Sequence, residues 1–121
     1  MLNLNRFSKP ELKGVVVLSD LSPMDALKLI ELKEALVVDV RTFQEYAQGR
    51  IQGAACIPVD EITLRARELL ADKNKPVLVY CRSGSRSAYA ANALQAIGYS
   101  KVFNLAGGIL AWQKAGLELS L

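Results

Sequence analysis

Two short, almost unbroken apolar runs, Leu36-Val37-Val38-Asp39-Val40 and Pro76-Val77-Leu78-Val79-Tyr80, constrain the fold of this chain more than any other feature. A strand with one wet face alternates apolar and polar residues, whereas a strand covered on both faces has no reason to alternate. Both runs therefore read as strands with protein above and below them. Sheets of that kind are parallel, and their strands are joined by crossover helices.

The segments between the runs supply those helices. Ser22-Pro23-Met24-Asp25 has the spacing of a helix start, with proline at the first helical position, where its missing N–H costs nothing. The helix should reach Glu34, with Leu27 and Ile30, joined by Leu29 and Met24, on its apolar face. Thr42-Phe43-Gln44-Glu45 repeats the capping spacing directly after the first run. Gly49 and Gly53 bracket a turn before a small strand at residues 54–58.

From Asp60 to Leu70 the positions of Ile62, Arg65, Ala66, Leu69 and Leu70 fit another amphipathic helix, closed by the polar turn DKNKP. The second run leads through Cys81-Arg82-Ser83-Gly84-Ser85-Arg86 into an alanine-rich helix ending at Gly98. KVFNL at 101–105 predicts a last strand and GGILAWQKAG a last helix, while VVVL at 15–18 predicts a first strand. The expectation is an α/β fold: an open parallel sheet of about five strands with helices on both faces. It should form one domain over residues 1–121, with a core from about 19 to 118 and a lead-in at 1–13.

Composition then narrows the chemistry. With 51% apolar and 22% charged residues the chain is neither disordered nor fibrous. It contains no histidine, which excludes Ser-His-Asp and Cys-His catalytic groups and every histidine-ligated metal site. Cys56 and Cys81 form no CxxC pair and no disulfide framework, which fits a reducing compartment. MLNLNRFSKP lacks the apolar core of a signal segment, and no stretch approaches the roughly 18 apolar residues of a membrane span, so the reading is a soluble, cytoplasmic protein.

The net charge of +3 is scattered rather than gathered into a nucleic-acid-binding arm. Residues 73–121 nevertheless hold six basic side chains against one acidic one, so this half should attract small anions. No metal or organic cofactor is suggested.

Ligand sites of open α/β sheets lie beyond the carboxyl ends of strands, where loops turn into helices, and Cys81 is expected there. An ordinary thiol with a pKa of about 8.5 is only a few per cent ionised at neutral pH. Backbone amides turned inward around the sulfur, together with a helix N-terminus, would favour the thiolate without any histidine. Arg82 and Arg86 are cations at a helix start, where an arriving anion would relieve their unfavourable placement. Gly84 lets the loop turn tightly, and Ser83, Ser85 and Ser87 offer short hydroxyl donors. The competing reading is an inert cysteine buried at a strand end.

With these residues in view, the sequence resembles the rhodanese family of sulfurtransferases over residues 19–118. The resemblance rests on VVDVR with downstream Glu45 and Tyr46, then GRIQGAACIP, VLVYCRSGSRS and NLAGGILAWQKAG, in that order. It implies a persulfide cycle in which Cys81 takes a sulfane sulfur from thiosulfate or a related anionic donor and passes it to cyanide or a thiol. Cys81 to Arg86 would line the active loop, with Arg82 and Arg86 holding the oxyanion end of the donor. A protein donor or acceptor, making the chain a sulfur-relay carrier, is the alternative.

Cysteine phosphatases and arsenate reductases also cradle a thiolate, but their signature places five residues between cysteine and arginine, and here four separate Cys81 from Arg86. The chain departs from the family pattern at Arg50, where many members have histidine, and at Glu118, where proline is common. Of the remaining residues, Asp39 and Arg41 are expected to be a structural pair and Glu45 a helix cap. Cys56 is expected to be a small buried hydrophobe rather than a resolving thiol, Gly107-Gly108 a tight turn and Trp112 a core anchor.

Overall fold

The computed structural model describes residues 18–121. The strands are β1 (Leu18–Leu21), β2 (Leu36–Asp39), β3 (Ala55–Cys56), β4 (Val77–Tyr80) and β5 (Val102–Leu105). The helices are α1 (Pro23–Lys33), α2 (Phe43–Ala47), α3 (Ile62–Leu69), α4 (Ser85–Ala96) and α5 (Gly108–Lys114), with a 3₁₀ turn at Val59–Glu61 leading into α3. The five strands form one sheet in the order β1-β5-β4-β2-β3, and every pairing is parallel.

Period-two alternation splits the two apolar runs between two cores. Val38 and Val40 of the β2 run and Val77, Val79 and Cys81 of the β4 run point to the side covered by α3 and α4, where Ile62, Ala66, Ala90, Ala91 and Leu94 meet them. Val37, Leu78 and Tyr80 point the other way, onto Ala26 and Leu29 of α1 and Ile109 and Trp112 of α5. The chain is thus a three-layer α/β sandwich, as its unbroken runs require.

Helix boundaries follow their caps. The Ser22 hydroxyl accepts the Asp25 N–H at 3.2 Å, and Thr42 with Glu45 forms a reciprocal capping box. Several details differ from the sequence reading. Residues 15–17 lie outside the described residues, and the first described strand is LSDL rather than VVVL. Among the described residues it pairs only with β5, at the sheet edge, where a strand needs no continuous apolar run. The small strand before the 3₁₀ turn shrinks to Ala55–Cys56, the other edge. Met24 and Leu69, expected on apolar faces, are exposed. Leu70, also expected on that face, is buried as expected, one residue past the end of α3.

The strand order has a consequence for the site. After β2 the chain moves to the β3 edge; after β4 it moves to β5, on the other side. The carboxyl ends of β2 and β4 therefore border the crevice at which the direction of winding reverses.

Candidate functional site

The residues that leave β4 and β2 at this crevice behave very differently. Cys81 follows Tyr80 and is 1% exposed, at the base of the loop that runs to Gly84, the cap of α4. Gly84 takes a left-handed conformation with φ of 116° and caps α4, a geometry open to glycine without strain. Its N–H then donates to Cys81 Sγ at 3.1 Å. The Ser87 hydroxyl, fully buried in the first turn of α4, lies 3.4 Å from the same sulfur and 3.1 Å from the Gly84 carbonyl.

Burial alone would push the Cys81 thiol up. Hydrogen bonds from the Ser87 hydroxyl and from the amides of Ser87, Gly84 and Ser83 outweigh it and hold the pKa below its ordinary value. The cysteine is therefore buried, but its neighbours' amides face it. A ring of donors around a sulfur stabilises S⁻, and equally a terminal sulfur carrying the same charge.

The opposite side of the loop is pinned by α5. The Ile109 and Leu110 amides donate to the carbonyls of Cys81 and Arg82 at 2.9 and 3.2 Å. This contact needs Gly108, with φ of 63°, because a Cβ there would lie 2.4 Å from the Arg82 carbonyl oxygen. With the carbonyls held from outside, the amides of the same loop are free to turn inward. The Gly-Gly pair signalled a turn in the sequence; its job of clamping the cysteine loop became visible only when α5 was placed against it.

Across the crevice, Asp39 and Arg41 form a closed knot. Asp39 is fully buried and Arg41 is 6% exposed. Arg41 donates through Nε and a terminal nitrogen to both Asp39 oxygens, at 2.6–3.1 Å, and through the terminal nitrogen to the Gly49 carbonyl at 2.7 Å. The Arg41 N–H adds a further bond to Asp39 Oδ1 at 2.9 Å. Tyr80 points into this side and accepts the Ile51 N–H at 3.1 Å. Burial, with the neighbouring Asp39, raises the Tyr80 pKa strongly, so its hydroxyl stays protonated. The pair ties the end of β2 to the Gly49 turn.

The two candidate anion-holding arginines have separate fates. Arg82 is exposed at a cleft of about 210 Å³, lined also by Arg41, Glu45, Gln48, Leu110 and Gln113, and it makes no ion pair among the described residues. Arg86 instead forks onto Glu45, with its two terminal nitrogens 2.7 and 3.1 Å from the two carboxylate oxygens. Glu45 is thus both the α2 cap and the partner of Arg86. Nothing in a separation of 41 residues announces that pairing in the sequence. Ser83 on the loop and Ser85 at the start of α4 are exposed.

Cys56 takes no part in the ring. It pairs in register with Asp39, which pairs with Tyr80. Cys56 is therefore two strand spacings from the Cys81 end of β4, roughly 10 Å, beyond the approximately 7 Å that disulfide Cα atoms tolerate. Arg50 stacks on Tyr46, with 4.6 Å from guanidinium to ring centroid, and its backbone bridges Ser120. The Glu118 carbonyl accepts the Trp112 indole N–H at 2.9 Å. The contacts that both positions make with the C-terminal segment come from their backbones, while the Arg50 side chain lies on Tyr46. Among the described residues no group of three or more cysteine and carboxylate side chains gathers as a metal would require, and no helix is long and apolar enough to cross a membrane.

Comparison with known proteins agrees with this geometry. The family model of the rhodanese-like domain matches residues 22–115. A sulfurtransferase of Allochromatium vinosum is 42% identical over 92 residues, covering 76% of this chain and 84% of that protein. Thiosulfate sulfurtransferase PspE of Escherichia coli is 42% identical over 72 residues, covering 60% of this chain and 68% of that one. Among solved structures, the human single-domain sulfurtransferase superposes with a TM-score of 0.72 at 26% identity, covering 78% of this chain and 95% of its own.

Proposed function

The chain belongs to the rhodanese-like family, and on that premise we propose that it is a sulfurtransferase working through a persulfide on Cys81, with thiosulfate or a related sulfane-sulfur anion as donor. One observation carries the reading: the Gly84 N–H and the Ser87 hydroxyl are aimed at the Cys81 sulfur, so a buried thiol is held toward its anion. The matched relatives with sulfurtransferase names support the same class of reaction.

The cycle has two displacements. Cys81 thiolate attacks the outer sulfur of thiosulfate, the sulfur–sulfur bond of the donor breaks, and sulfite departs with the electron pair. The protein is left as Cys81–S–S⁻, so charge is conserved. Cyanide or a thiolate then attacks the terminal sulfur, and the Cys81 thiolate leaves to complete a ping-pong cycle. The loop donors face the negative charge before and after transfer, which is how a preorganised ring lowers the barrier without reorganising. Arg82 is the cation assigned to the donor's oxyanion end. Ser83, Gly84, Ser85 and Arg86 complete the loop.

Intact-protein mass spectrometry after incubation with thiosulfate tests the proposal. The wild type should gain one sulfur atom that cyanide or dithiothreitol removes, and Cys81→Ser should gain none. Labelling only by a cysteine desulfurase would make the chain a relay carrier. Phosphomonoester hydrolysis without sulfur gain would overturn the assignment.

A further inference from the structure

Three arginines, Arg41, Arg82 and Arg86, lie on the segments that follow β2 and β4, and two of them are paired with carboxylates. Arg41 belongs to Asp39, in a sealed pair. Arg86 belongs to Glu45, in a two-bond fork that leaves about a third of each side chain exposed, 35% and 28% respectively. Of the three, Arg82, which lines a cleft against α5, has no acidic partner among the described residues. Arg86 nonetheless lies within electrostatic reach of the sulfur. The hydrogen bond to Glu45 is the main cause of its raised pKa, and the charge of Cys81 adds to it.

We propose that Glu45 is a specificity-determining residue: by neutralising Arg86, in the first turn of α4 next to the Cys81 loop, it tunes the site toward singly charged sulfur donors over doubly charged ones. The inference rests on the sulfur-transfer reading for its donors but on the ion pair for its electrostatics. Glu45 is suited to the role because it is fixed from two directions. Its Oε1 also accepts the Thr42 N–H at 3.0 Å as half of the α2 capping box. Arg86 holds the carboxyl at a pKa of about 2, so it is charged throughout the physiological range.

The substitution that isolates the charge is Glu45→Gln. Glutamine serves at this capping position as well as glutamate, so α2 keeps its start while the charge of Arg86 is left uncompensated. Thiosulfate and methanethiosulfonate, close in size but doubly and singly charged, report the effect. In the variant, the kcat/KM ratio of thiosulfate to methanethiosulfonate should rise about three- to tenfold at low ionic strength, and the gain should shrink with added salt. Adding Arg86→Gln to the same chain should return the ratio to near its starting value. A loss of activity shared equally by both donors would mean that Glu45 merely supports the loop, and would overturn the proposal.

A second readout does not need sulfur transfer. In a Cys56→Ala background, the rate of Cys81 alkylation by anionic iodoacetate relative to neutral iodoacetamide should rise by a similar factor in Glu45→Gln. If the ratio rises while neither protein moves sulfur, the functional assignment fails and the role of Glu45 stands. If the ratio does not move, the proposal is wrong whatever the enzyme does.

Discussion

The two cysteines of this sheet are an internal experiment in what makes a thiol reactive. Cys56, on edge strand β3, is half-buried, and its pKa is pushed up to about 11, first by burial and then by the charge of Asp39. Cys81, at the end of central strand β4, is more deeply buried, and its pKa is nevertheless lowered. What separates them is the sign of the hydrogen bonding. The Cys56 sulfur meets an acceptor, the Arg41 carbonyl at 3.7 Å, and so must keep its proton to bond at all. Among the described residues the Cys81 sulfur meets donors, the Gly84 N–H and the Ser87 hydroxyl. Burial raises the energy of an unpaired charge, but it equally strengthens each donor aimed at that charge. A buried thiol is therefore inert or reactive according to which end of its neighbours' dipoles it sees.

The largest expected effect follows at once. Cys81→Ser should remove sulfur transfer to below about one thousandth of the wild-type rate, because no other group can hold the covalent intermediate. Cys56→Ser should leave the rate within about twofold, since its protonated thiol makes only one weak contact. Steady-state thiocyanate formation from thiosulfate and cyanide measures both. Comparable losses in the two variants would break the comparison and bring Cys56 into the chemistry.

A smaller effect should come from the clamp that turns the amides inward. Gly108→Ala places a methyl group against the carbonyls of Cys81 and Arg82, at a backbone conformation that side chains rarely adopt. The chain should lose roughly 2 kcal/mol of stability in urea unfolding. Activity below the unfolding transition should also fall, as the loop is pushed off its carbonyl anchors. Gly53→Ala supplies the control: it carries a similar positive φ of 84° but meets nothing within 4 Å, so it should cost stability without a matching loss in the folded protein's rate. Equal activity losses would show that the contact with α5 does not set the loop.

These contrasts also mark how far the residues themselves could be read. The buried strands β2 and β4 and the helix N-caps at Ser22 and Thr42 were legible because each is a local pattern: an unbroken apolar run, or a hydroxyl three residues before an acid. The placement of Cys81 after a central strand was legible for the same reason. The edges were legible only in outline: the small strand at 54–58 is there but shorter, and the first described strand is LSDL rather than VVVL. Among the described residues β1 and β3 are each paired on one side, so their sequences carry less of the apolar signal.

Glu45 shows the other limit. Its capping role is written in the three-residue step from Thr42, but its grip on Arg86 depends on how α2 is laid beside the cysteine loop. A long-range ion pair of this kind leaves no periodicity behind. The Gly108 approach to the Arg82 carbonyl likewise needs α5 in place before the missing Cβ acquires a reason.

Ser87 offers the finest test of the rule that donors decide, because its hydroxyl is one donor in a ring of several. Ser87→Ala removes the hydroxyl hydrogen bond to Cys81 while the Gly84 N–H remains. A hydrogen bond to a charged group contributes about 1.5 kcal/mol, so kcat/KM at neutral pH should fall roughly tenfold. The sign of the pH dependence follows from the lowered thiol. Activity rises with pH as Cys81 ionises, and losing a donor to the thiolate moves that rising limb to higher pH. The variant should therefore recover much of its deficit under alkaline conditions, where both proteins are ionised. A deficit of the same size at every pH would place Ser87 in the shape of the loop rather than in the charge of the sulfur. The pH profile of iodoacetamide alkylation separates the two outcomes directly, since it follows the thiolate without requiring turnover.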